Sequence, residues 1–164
     1  MTLRDEPATR GPLDMKILPV LWQRLGTEGE TCQRCGSTQQ NVLSAVSKLE
    51  SALQPLGIRP ELETRVIDDA TFRGDPSASN RIWIAGQPLE HWLDATVGDS
   101  PCCSVCGDLP CRTVQVGGET YEAIPEALIL SAAMRAAAQM TAPSRTAGTA
   151  ASCCPAPGRT SCGG

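Results

Sequence analysis

The sequence predicts a mixed α/β domain, and three stretches carry that expectation. Lys16–Trp22 is a short, partly β-branched apolar run, Val42 to Leu56 repeats apolar residues at helical spacing, and Ile58 to Ile67 alternates apolar or small residues with charged ones. Strand, helix and strand in succession favour a parallel pair joined by a right-handed crossover. Two later runs flanking Gly117-Gly118 add antiparallel strands. With 164 residues, 41% of them apolar, the chain has room for one domain plus tails. Its aromatics are three Trp, one Tyr and one Phe, so the core has to be mainly aliphatic.

Taken in order, residues 1–14 mix Arg4, Asp5, Glu6 and Arg10 with Pro7 and Pro12 and read as a disordered leader. The folded domain is expected over 15–140. Pro19 would break a helix, so Lys16–Trp22 is read as a strand, at an edge or a bulge. Ser37 and Gln40 match a capping box, which starts the helix carrying Val42, Leu43, Val46, Leu49, Leu53 and Leu56. Gly57 ends it, because a residue without Cβ readily turns left-handed. In the next strand Ile58, Pro60, Leu62, Thr64 and Val66 are expected to face the core. Asp68 to Arg73 is a short helix with a solvated acidic start, and Arg81–Ile84 is a strand that turns through Ala85-Gly86-Gln87. Asp94 to Pro110 reads as a cysteine-rich loop, Thr113–Val116 and Glu119–Tyr121 as a hairpin, and Pro125 to Met140 as an alanine-rich helix. Residues 141–164 are rich in Ala, Pro, Gly, Ser and Thr and read as a disordered, cysteine-containing tail.

A net charge of −4 and a pI near 5.0 argue against a nucleic-acid-binding protein. The leader lacks the apolar segment of a secretory signal, and no run approaches ~18 apolar residues, so a cytoplasmic protein without a membrane partner is expected. There is no phosphate-cradling glycine loop and no nucleophile elbow. Trp22, Trp83 and Trp92 are expected in the core and His91 on the surface.

What remains is sulfur. Nine cysteines accompany a single histidine, His91, and they fall into three groups: Cys32 and Cys35; Cys102, Cys103, Cys106 and Cys111; and Cys153, Cys154 and Cys162. In a reducing compartment, closely spaced thiols either ligate metal or cycle in redox chemistry. Cys32 and Cys35 precede a helix, whose free N–H groups and positive dipole end favour a thiolate. Cys32-x-x-Cys35-Gly36 and Cys103-x-x-Cys106-Gly107 are also two knuckles of the kind that fold around a four-thiolate metal site, with Cys102 and Cys111 in reserve. The tail offers two adjacent thiols and a third, a set suited to a three-coordinate soft ion such as arsenic(III). The plainer reading of the first two groups is a zinc staple for a small core, and of the tail, free thiols on a low-complexity extension.

Three resemblances sharpen these readings. The Cys32-x-x-Cys35 motif between strand and helix resembles the thioredoxin-like superfamily, which implies a thioredoxin-like mixed sheet and thiol–disulfide exchange with Cys32 as the more exposed nucleophile and Cys35 resolving. The tail, and the vicinal motif Cys102-Cys103-Ser-Val-Cys106, resemble those of bacterial arsenic metallochaperones; that likeness implies a thiol reductant or an efflux ATPase as partner. Taken whole, Met15 to about Ala138 resembles a prokaryotic thioredoxin-like family catalogued as a domain of unknown function, on the strength of Leu18 to Leu25, Thr31 to Thr38, Ser79 to Ile84 and Ser100 to Gly107. The expectation is a protein that binds or relays a soft metal or metalloid ion through cysteine thiolates, in arsenic or mercury detoxification. Cys102, Cys103 and Cys106 are the core ligands, Cys153, Cys154 and Cys162 capture or relay the ion, and Cys32 and Cys35 either join the site or reduce it. A thiol–disulfide oxidoreductase and a zinc-stabilised interaction module are the alternatives.

Overall fold

A computed structural model describes residues 15–26, 32–102 and 106–142. The expected leader and nearly all of the expected tail lie outside them. Strand β1 (Lys16–Leu25) is followed by helix α1 (Gln33–Leu53), β2 (Ile58–Ile67), the short α2 (Asp69–Gly74), β3 (Arg81–Ile84), β4 (Gln87–Pro88), α3 (Leu89–Leu93), β5 (Thr96–Pro101), β6 (Pro110–Val116), β7 (Glu119–Tyr121) and α4 (Glu126–Thr141). One sheet has the order β2-β1-β3-β4, with β1 parallel to β2 and antiparallel to β3; a second has the order β5-β6-β7. The result is the mixed α/β class expected, and the order of the larger sheet is consistent with a thioredoxin-like arrangement.

The larger sheet forms because β1 is apolar enough to sit at its centre. Leu18, Val20 and Trp22 on its inward face are at most 1% exposed and meet Leu49, Leu53, Ile58, Ile82, Ile84 and the alanines of α4 in one core. Pro19 does not put β1 at an edge. Its carbonyl accepts the Ala85 N–H at 2.9 Å, whereas the β1–β3 ladder proper begins at Val20 opposite Ile84. Within a strand the N and C=O of one residue face the same way, so the missing N–H faces the β3–β4 turn, where no partner is needed. That turn carries Ala85 and Gly86 at positive φ, which matches the right-handed twist of a tight hairpin.

Helices α1 and α4 are joined side by side. The Ile124 N–H donates to Thr38 Oγ1 at 3.0 Å, Asn41 Nδ2 to the Ile124 carbonyl at 2.9 Å, and Lys48 pairs with Glu126. Ala132, Ala133, Ala136 and Ala137 are at most 1% exposed, small enough to let α4 lie close to its neighbours. In β2 the alternation holds for Ile58 and Pro60 and then fades: Val66 is 55% exposed and Ile67 takes the buried place. Trp22 and Trp92 are core residues, but Trp83 is half-buried beneath the Arg81 guanidinium at 4.7 Å, and His91 is exposed as expected.

The smaller sheet corrects the expected loop. Thr96–Pro101 is a strand, paired antiparallel to β6 from Thr96 opposite Gln115 to Pro101 opposite Pro110. It is anchored to the rest of the fold by Arg112, a buried guanidinium on β6 that pairs with Glu90 of α3 at 2.5 Å. Gly117 and Gly118 both take positive φ in the β6–β7 turn, which fixes the expected hairpin. No described helix is long and apolar enough to cross a membrane.

Candidate metal centre

The first cysteine pair is part of α1 itself. The capping box at Ser37 and Gln40 is not the start of the helix: Cys32 is the N-cap, five residues before Ser37, and the helix runs from Gln33 onward. Its sulfur accepts the Cys35 N–H at 3.5 Å, and its carbonyl accepts the Gly36 N–H at 2.9 Å. A sulfur can take the place of the usual cap oxygen because it too can accept a first-turn amide proton. Cys32 is 5% and Cys35 4% exposed, so neither thiol is the exposed member of the pair. The Cys35 sulfur lies 3.9 Å from the Ser79 hydroxyl, which accepts the Leu25 N–H at 3.0 Å.

The second group reaches the first through the smaller sheet. Its register sets Ser100 opposite Cys111 and Pro101 opposite Pro110, so Cys102 leaves β5 beside the start of β6. Cys106, on the connection back to β6, is buried, as is Cys111, while Cys102 is half-buried. The sulfurs of Cys32, Cys102 and Cys106 all lie within 4.8 Å of one another. A metal–thiolate bond of ~2.3 Å places sulfurs sharing one ion ~4 Å apart, so small side-chain rotations bring these three onto a common centre.

Electrically Cys32, Cys35 and Cys106 are unequal. Cys32 is pulled down to about 4 by the hydrogen bond from the Cys35 thiol, against the cost of its burial, with the Cys35 N–H and the Cys106 and Cys102 thiols adding support. Cys35 is pushed far up by its contact with Cys32 and by burial. Cys106 is also raised, first by burial and then by Cys102 and Cys111. In the metal-free site Cys32 is thus the sulfur favoured as thiolate, with the Cys35 and Cys106 thiols held protonated beside it. In reduced, metal-free protein the ultraviolet thiolate absorbance of one sulfur is therefore expected to persist below the ordinary thiol range of ~8.5. It should fade only as pH falls through about 4, and be missing in Cys32→Ser. A titration showing thiolate appearing only above neutral pH would contradict this ordering.

Of the nine expected site residues, the fold brings Cys32, Cys102 and Cys106 together and places Cys35 against Cys32 and Cys111 against Cys106. Cys103, Cys153, Cys154 and Cys162 lie outside the described residues. Four polar residues around the sulfurs had no sequence signal pointing to them. Ser79 reaches Cys35 only because β3 pairs with β1. Arg34, Ser100 and Glu122 form a closed set: Arg34 Nη1 donates to Ser100 Oγ at 2.9 Å, Arg34 Nη2 lies 2.7 Å from Glu122 Oε1, and Ser100 Oγ donates to that same oxygen at 2.9 Å. Beside them opens a cleft of about 540 Å³, with Gln33, Arg34, Ser37, Pro101, Glu122 and the half-buried Cys102 in its lining.

Residues 18–133 match the profile of a family described as Domain of unknown function (DUF2703). An uncharacterized protein of Archaeoglobus fulgidus is 39% identical over 112 residues, covering 68% of this chain and 82% of its own. No solved structure matches the chain.

Proposed function

Because the chain belongs to the family described as Domain of unknown function (DUF2703), it inherits no reaction from its relatives, and we propose from its own side chains that it binds and relays a soft metal or metalloid ion. One observation carries this reading: three thiols from two distant stretches of sequence, Cys32, Cys102 and Cys106, converge within bonding reach of a single ion. All-sulfur donors select soft ions over hard ones. A set of three suits arsenic(III), which takes three thiolates and keeps a lone pair in the remaining position; a tetrahedral zinc staple needs a fourth donor, for which Cys35 or Cys111 would have to swing in. The ion enters by the cleft at Cys102, with Cys153, Cys154 and Cys162 as the relay. Free thiols on this scale need a reducing compartment, which supports a cytoplasmic location and a thiol reductant or efflux ATPase as partner.

The test is arsenite binding by the reduced full-length chain. One arsenite per domain is expected, and Cys102→Ser should weaken it at least ~10-fold, since even an outer-shell change at a metal site costs that much. Reduced protein with no affinity for arsenite overturns the proposal.

A second reading is favoured by the geometry at the head of α1. Cys32 accepts the Cys35 N–H and hydrogen-bonds the Cys35 thiol, the arrangement needed for a nucleophile with its resolving partner. It predicts a reversible Cys32–Cys35 disulfide potential that is lost in Cys35→Ser. The carrier reading predicts that Cys35→Ser still binds arsenite.

A further inference from the structure

The three-thiol group is assembled from two parts of the fold that have no sequence proximity. Cys32 sits on the first turn of α1, while Cys102 follows the last residue of β5. Between Cys32 and Cys35, on that same first turn, stands Arg34, which is not a sulfur ligand and whose side chain is only 16% exposed. Its guanidinium reaches across to the segment that carries Cys102. Nη1 donates to Ser100 Oγ at 2.9 Å, and Nη2 donates to the Pro101 carbonyl at 2.6 Å. Glu122, just past β7, completes the arrangement by accepting from Arg34 at 2.7 Å and from Ser100 at 2.9 Å. Glu122 is itself fixed by its backbone carbonyl, which accepts Asn80 Nδ2 at 3.2 Å.

We infer that Arg34 is a positioning residue for the metal centre: by gripping Ser100 and Pro101 it holds Cys102 against Cys32 and Cys106, so that the third sulfur is in place before the ion arrives. The inference rests on the three-thiolate reading above. It also gives the residue inside the Cys-x-x-Cys motif a task of its own. A planar fork with several fixed N–H directions can hold two neighbouring backbone and side-chain oxygens and a carboxylate at once; a lysine ammonium, on a flexible stem, can satisfy the carboxylate but not the same geometry. Without the clamp, the end of β5 keeps its pairing to β6 and the Ser100–Glu122 bond but loses both of its ties to the helix turn that carries Cys32, so Cys102 is no longer held in register with it.

The experiment uses arsenite alone on the reduced full-length chain with Cys153→Ser, Cys154→Ser and Cys162→Ser, which serves as wild type for the comparison so that the tail supplies no sulfur; it is read by binding affinity and by arsenic X-ray absorption, which counts sulfur neighbours directly. Wild type should show three sulfurs. Arg34→Ala should show two sulfurs and an oxygen from water, with affinity down ~10- to 100-fold, the range for outer-shell partners of a metal site. Arg34→Lys should behave like Arg34→Ala. Combining Arg34→Ala with Cys102→Ser should cost no more affinity than Cys102→Ser alone, because both changes remove the same bond; independent effects would add. Additive losses, a three-sulfur signal in Arg34→Ala, or wild-type binding by Arg34→Lys would overturn the positioning role and leave the three-thiolate reading standing. Wild-type protein without three sulfurs around arsenic would overturn that reading, and the inference with it.

Discussion

Replacing Cys32 by serine is expected to abolish soft-ion binding at the three-thiol centre while leaving the fold intact. Cys32 is the sulfur common to the three-thiol group and to the pair with Cys35, and its surroundings favour its thiolate form. Its loss removes a ligand rather than an outer-shell support, so arsenite affinity should fall by more than the ~100-fold upper range of such supports. The same side chain caps α1, but serine is among the better N-cap residues and its oxygen can accept the Cys35 N–H in place of the sulfur. Thermal unfolding of Cys32→Ser should therefore match wild type, whereas Cys32→Ala should lose ~1 kcal/mol as well as the ion. Retained arsenite binding by Cys32→Ser would remove Cys32 from the centre.

The second large effect concerns stability. Trp22→Ala is expected to destabilise the domain by ~3–5 kcal/mol, the cost of deleting a large buried aromatic. Trp22 is 1% exposed at the middle of the central strand, opposite Thr64 on β2 and Ile82 on β3. Few other aromatics exist to fill the space. Its ring N–H donates to Asn80 Oδ1 at 3.4 Å, and Asn80 in turn holds the Glu122 carbonyl, so the cavity opens at the root of the Arg34 clamp. Total stability of a small domain is only ~5–15 kcal/mol, and the melting temperature should fall by more than ~10 °C. A drop of less than ~3 °C by circular dichroism would show that the core repacks around the loss.

Periodicity made the larger sheet legible. The β-branched run of β1, the apolar repeat of α1 and the alternation of β2 each express one physical period, and the parallel crossover follows from their order. What periodicity could not show was β5. Thr-Val-Gly-Asp-Ser-Pro carries three residues that usually break strands, and it is a strand because β6 offers it a complete ladder. Gly98 is part of the reason: a Cβ there would come within 3.0 Å of Thr113 Oγ1 on the partner strand. The capping box misled in a related way. Ser37 and Gln40 fit the pattern, but the helix had already begun at a cysteine, and thiol caps leave no signature in the usual residue preferences.

The site was legible by residue type and not by geometry. That sulfurs from the first and second groups would meet was an expectation from two Cys-x-x-Cys-Gly knuckles. Among the described residues, the meeting involves Cys102 and Cys106 with Cys32, which no spacing rule could select because it depends on the β5–β6 register. Nor could any spacing rule single out Arg34 and Glu122, for the same reason. Their value lies in which strand end they face, and that is a property of the assembled sheets.

The long strand β2 has a consequence beyond the site. It borders the larger sheet, and among the described residues no strand pairs with its outer side. An exposed border of ten residues would ordinarily invite another chain to add itself and seed aggregates. Here Arg59, Glu61, Glu63 and Arg65 are all exposed along it, with Pro60 interrupting the row of donors. A newcomer would have to strip water from four charges to gain its hydrogen bonds, and that cost disfavours edge-to-edge addition at β2.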